Sequence, residues 1–93
     1  MKLSPHSTIV VNQDVVSCDL VDEAALLNLK TGIYYGLDPI GARIWKLIQT
    51  PQQLNDILET LLNEYEVEEN RCQEDLIELI EQLIEKELVT IKE

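Results

Sequence analysis

Few side chains here carry the chemistry of a catalyst. His6 is the only histidine, and it lies in a polar N-terminal segment with no fixed partner, so it reads as a surface residue and not a general base. Cys18 and Cys72 belong to no Cys-x-x-Cys pair, have no second histidine for a zinc set, and have no neighbouring base to make a thiolate. Both read as small apolar fillers, and their spacing fits reduced thiols in a cytosolic protein. The carboxylates are numerous but fit the wet faces of later helices, which leaves paired acid–base catalysis without specific support. Only Gly32, Gly36 and Gly41 are present, too few for a phosphate-cradling loop. The residue set predicts no enzyme, no metal and no cofactor. What it offers is binding chemistry: Tyr34, Tyr35 and long stripes of Leu and Ile.

The elements that position these residues change type along the chain. Residues 1–7 are polar and loosely held. Short β-type runs follow over 8–11, 15–18 and 24–29, the first two separated by the turn residues Asn12, Gln13 and Asp14. Around Lys30-Thr31-Gly32 two apolar runs face each other, and Gly32 suits the positive φ of a three-residue hairpin loop. A hairpin is therefore expected over 24–29 and 33–37. Asp38-Pro39 then reads as a helix cap followed by proline at the first helical position. Three helices are expected, near 38–49, 51–64 and 70–87, with Thr50/Gln53 and Asn70/Gln73 as cap pairs. A short tail over 88–91 can return as a strand. The expectation is one α+β domain over 1–93, with a three-stranded antiparallel N-terminal sheet (about 8–37) followed by three helices.

Ninety-three residues allow one small domain. Leu, Ile and Val number 32, well above a disordered composition, and Phe is absent. No run of about 18 apolar residues marks a membrane span, and no charged-then-apolar leader opens the chain. The net charge of −11 disfavours nucleic acid and anionic membranes as partners. That charge is uneven: residues 1–51 hold five acids and four bases, and residues 52–93 hold thirteen acids and three bases.

The third helix is unusually apolar. Cys72, Leu76, Ile77, Leu79, Ile80, Leu83 and Ile84 cover roughly 160° of its circumference, against the ~100° of a helix packed on one core. Either the bundle wraps this helix on two sides, or one flank is left as a partner surface.

The stretch 29–48 carries a denser pattern. Together with Asn28, the residues Leu29, Thr31, Gly32, Tyr34, Tyr35, Leu37, Gly41, Ile44 and Trp45 resemble the PqqD-like family, the RiPP recognition elements of peptide-modifying pathways. Cys72, Asp75, Leu76, Leu79, Ile80 and Leu83, then Leu88 and Val89, are similar to that family's third-helix pattern, so the resemblance spans about 8–90. It implies a winged-helix-like fold that takes the leader of a precursor peptide as an added strand and presents it to a processing enzyme. On this chain the implied edge is Ile33, Tyr34, Tyr35, Gly36 and Leu37, and the implied wall is Cys72, Asp75, Leu76, Leu79 and Leu83. The Thr-Gly-x-Tyr-Tyr version resembles the stand-alone lasso-peptide branch, which implies a transglutaminase-like leader peptidase, or another maturation enzyme, as second partner. The alternatives are a pyrroloquinoline-quinone-type peptide chaperone, a winged-helix DNA binder and a homodimerising module.

Physical chemistry fits the implied task, since an open strand edge hydrogen-bonds any extended peptide and side-chain pockets add selectivity. Alternation puts one of Tyr34 and Tyr35 inward and the other outward, in an order the sequence leaves open. Asp75 suits either a peptide amide or cation, or plain solvent. Trp45 falls on the apolar side of its helix and is expected in the core.

Overall fold

The computed structural model describes residues 3–92. Six strands and three helices follow in the order β1 (Thr8–Val11), β2 (Val15–Asp19), β3 (Ala24–Asn28), β4 (Tyr34–Leu37), α1 (Pro39–Leu47), β5 (Gln52–Gln53), α2 (Leu54–Glu64), α3 (Glu69–Glu85) and β6 (Val89–Lys92). The α+β class and the three helices are as expected. The sheet arrangement differs in detail, because the strands form two three-stranded antiparallel sheets, β2-β3-β4 and β5-β1-β6.

The difference has a non-local cause. β1 leaves the hairpin sheet because the C-terminal run pairs with its whole length, Thr8 opposite Lys92 through Val11 opposite Val89. Asn12 then turns the chain away: its N–H donates to the Leu88 carbonyl (3.1 Å) and its side-chain amide to the Glu87 carbonyl (2.5 Å). Gln52 and Gln53 pair with β1 instead of opening a helix, so the expected Thr50/Gln53 cap does not form. The first N–H groups of α2, at Leu54 and Asn55, instead donate to the carbonyls of Ser7 and Pro5 (2.9 and 3.0 Å). Likewise the N-cap of α3 is Glu68, two residues before Asn70, so the expected Asn70/Gln73 cap does not form.

Local signals hold elsewhere. Asp38 caps α1, accepting from the Gly41 N–H at 2.8 Å, with Pro39 next. Gly32 takes φ 76° in the hairpin loop. The loop is built around Asn28, which is only 3% exposed. Its side-chain oxygen accepts from the Lys30 and Thr31 N–H groups (2.9 and 3.2 Å), and its amide donates to the Glu87 carbonyl (2.8 Å). Glu87 is the left-handed residue (φ 58°) that ends α3, where the Glu87 and Leu88 N–H groups close back onto the Ile84 and Leu83 carbonyls. Asn12 and Asn28 therefore converge on one carbonyl and tie both sheets to the end of α3.

The core joins Ile9, Leu26, Leu37, Ile44, Trp45, Ile48, Ile57, Leu61, Leu76, Ile80, Leu83 and Leu88. Its centre line on α3 is Leu76, Ile80 and Leu83. Cys72 and Leu79 on one flank, and Ile77 and Ile84 on the other, are half-buried. Ile77 faces a small recess shared with Leu3, Pro5 and Leu58. The wide apolar arc thus serves the core with its middle, while its two flanks serve different neighbours.

Candidate functional site

β4 is a terminal strand of its sheet, and its hydrogen-bonding phase identifies the free groups. The Asn28 N–H donates to the Ile33 carbonyl at 3.0 Å, and in the same register Leu26 opposes Tyr35 and Ala24 opposes Leu37. Antiparallel alternation then turns the backbone groups of Tyr35 and Leu37 toward β3. Those of Tyr34 and Gly36 face the open edge.

Side chains alternate in the same phase. Tyr34 stands on the outer face, 73% exposed, in a row with Leu27 and Val16. Tyr35 turns inward, and its hydroxyl donates to Gln82 Oε1 on α3, a bridge between edge strand and helix. Burial, then the nearby charges of Asp38 and Glu78, push the Tyr35 phenol above its ordinary pKa, so it stays a donor. Gly36 is exposed, and a Cβ built there meets nothing within 4 Å. Its lack of a side chain leaves room beside the strand instead of relieving a clash.

Between the start of α1 and α3 lies a groove of about 370 Å³. Its floor is apolar, made by Ile40, Ile44, Leu61 and Leu76, with Tyr65 and Val67 on the side of the α2–α3 link. The α3 wall presents Cys72, Leu79 and Gln82, and the rim carries Asp38, Arg71, Asp75 and Glu78. Burial, then Asp75, push the Cys72 thiol above its ordinary pKa, which keeps it protonated and a poor nucleophile. Among the described residues, no group of three or more His, Cys, Asp or Glu is placed to hold a metal ion. None of their helices is long and apolar enough to cross a membrane.

Of the residues singled out from the sequence, Cys72, Asp75, Leu76 and Leu79 line this groove, and Tyr34, Tyr35 and Gly36 form the edge strand next to it. Ile33 sits just before β4, half-buried. Two side chains are placed otherwise. Leu83 is fully buried on the centre line of α3, and Leu37 is 4% exposed in the core, because its position in the strand points it at Ala24 and α1. Asp38, Ile40, Tyr65, Val67, Glu78 and Gln82 also line the groove without being predicted there. Gln82 and Glu78 were detectable, since they continue the α3 stripe of Asp75 and Leu79 toward solvent at helical spacing. Tyr65 continues the apolar stripe of α2 four residues after Leu61, whereas Val67 has no signal, because the acidic link has no periodicity.

An edge with two outward N–H and two outward C=O groups, facing an apolar groove, can hold an extended peptide backbone and seat its alternate side chains. Comparison with known proteins points the same way. Residues 23–89 match the family model described as "Coenzyme PQQ synthesis protein D (PqqD)". A solved structure described as "TbiB1 in Complex with the TbiA(beta) Leader Peptide" is similar at a TM-score of 0.81 and 36% identity, over 86% of this chain and 93% of that one. "Lasso peptide synthetase B1 complexed with the leader peptide" shares the fold at a TM-score of 0.77 and 22% identity, over 88% of this chain and 96% of that one. No curated protein sequence matches.

Proposed function

The chain belongs to the PqqD family, and from that premise we propose that it is a leader-peptide-binding adaptor in the biosynthesis of a ribosomally made, modified peptide. It captures the precursor's leader as an added strand on β4 and presents it to a processing enzyme. The observation that carries this reading is the open β4 edge set against the apolar groove on α3. The solved structure at 36% identity, described with a leader peptide, supports it. The Thr31-Gly32-x-Tyr34-Tyr35 hairpin, which resembles the stand-alone lasso-peptide branch, favours a lasso-peptide pathway over a pyrroloquinoline-quinone one. The enzyme served is then a transglutaminase-like leader peptidase, and the adaptor itself acts by binding and not by catalysis.

On this reading each group has a role. Tyr34 and Gly36 supply backbone hydrogen bonds to the guest, and Leu37 contributes no side chain to it. Guest residues opposite Tyr35 and Leu37 turn toward the groove, where Leu76, Leu79 and Cys72 receive apolar side chains. Guest residues opposite Tyr34 and Gly36 turn to the outer face, where an enzyme can reach them.

Titration of the full chain with the leader of the precursor encoded beside it tests the reading. One-to-one saturable binding is expected, weakened at least ~100-fold by Leu79→Asp, which puts a charge on the apolar wall. Absence of binding, or binding indifferent to that substitution, would contradict it.

A further inference from the structure

Resting on that reading, we propose that the groove selects a particular class of leader: an extended segment carrying Lys or Arg on its groove-facing side, with an apolar anchor two or four residues away, and with Asp38 and Glu78 as the pair that reads the cation. The floor is apolar, but the rim holds three carboxylates (Asp38, Asp75, Glu78) against one guanidinium, Arg71. Arg71 lies 4.0 Å from Asp75, and both are largely exposed, so this base is already shared with one of the three acids. Asp38 and Glu78 have no cationic partner among the described residues. The Asp38 carboxylate gives Oδ1 to the Gly41 N–H and leaves Oδ2 for a ligand.

The two carboxylates stand on opposite walls. Asp38 directly follows the edge strand, and Glu78 projects from α3. Both act on the Tyr35 phenol that bridges those walls, which places the two charges around the same stretch of the groove. A strand added to β4 passes between them. Because side chains alternate, the guest residues on the face of Tyr35 and Leu37 are the ones turned toward the groove, and the one opposite Tyr35 lies between this pair. The next groove-facing residues, two or four away, meet the floor at Ile40, Ile44 and Leu76. An isolated ammonium has no match on an apolar floor, and an anion would be repelled at both walls, so register and charge are read together.

Selection of random peptides of about 14 residues by display against the full chain tests this without using any natural leader. Groove binders are recognised by loss of binding to Leu79→Asp or, if that variant folds poorly, to Gly36→Pro, which removes one edge N–H. The expected result is enrichment of Lys or Arg at one position, spaced two or four residues from an apolar one. Binding of those peptides should fall about tenfold in Asp38→Asn/Glu78→Gln, in which asparagine preserves the helix cap. Peptides with Met in place of the cation should bind the double variant and the parent equally. Groove binders without cation enrichment, or with undiminished affinity for the double variant, would overturn the inference while leaving the peptide-binding reading intact. If no groove-dependent binder emerged, both would fall.

Discussion

The hairpin sheet has two unpaired edges that are alike in backbone chemistry and unlike in surroundings. On β2, the Leu29 N–H donates to the Asp14 carbonyl and the Leu20 N–H to the Glu23 carbonyl, both at 2.8 Å. That phase turns the groups of Ser17 and Asp19 outward, just as Tyr34 and Gly36 are turned outward on β4, while the Val15 N–H closes the turn onto the Asn12 carbonyl at 3.3 Å. Yet β2 runs along an open surface, all but its first residue exposed, and Val16, Leu20 and Val21 near it stand out in solvent. β4 packs on α1 and reaches the groove wall of α3 through the Tyr35 hydrogen bond to Gln82. Unpaired backbone groups alone make an edge adhesive, and a wall across from them makes it selective.

The strongest way to break this contrast is to loosen the wall. Asn28 makes three side-chain hydrogen bonds while almost fully buried, and it holds the hairpin to the end of α3. Asn28→Ala is expected to cost about 3 kcal/mol of stability in urea denaturation, because it removes three hydrogen bonds, at about 1 kcal/mol each, from a buried side chain. Both edges should then bind a leader equally poorly.

A smaller change sharpens the contrast. Tyr35→Phe removes only the bridge to Gln82, and leader affinity should fall a few-fold, about 1 kcal/mol or less. It should also alter the pH profile. The folded phenol is raised above its unfolded pKa, so its contribution to stability is full below the ordinary phenol range and is lost as pH rises through it. Denaturation curves of the parent should show this alkaline loss, and those of Tyr35→Phe should show it reduced.

How much of this was legible in the sequence depends on distance along the chain. The hairpin, the Gly32 loop and the Asp38-Pro39 cap are local, and their residue types alone specify them. The split into two sheets rests on pairs such as Ile9 with Ile91, from opposite ends of the chain, which no local pattern encodes. Helical periodicity found the α3 wall but could not separate Leu79, which faces the groove, from Leu83, which lies only about 40° around the helix and is buried. Tyr34 and Tyr35 could not be ordered until the pairing phase was known. Asn28 was visible only as one letter of a motif, because its partner Glu87 lies beyond the far end of α3.

Amide hydrogen exchange of the full chain, with and without saturating leader, tests the central claim most directly. The outward N–H groups of Tyr34 and Gly36 should become protected when the leader binds, while those of Ser17 and Asp19 exchange at unchanged rates. Protection appearing on β2, or none on β4 despite saturation, would contradict capture of the leader at the walled edge.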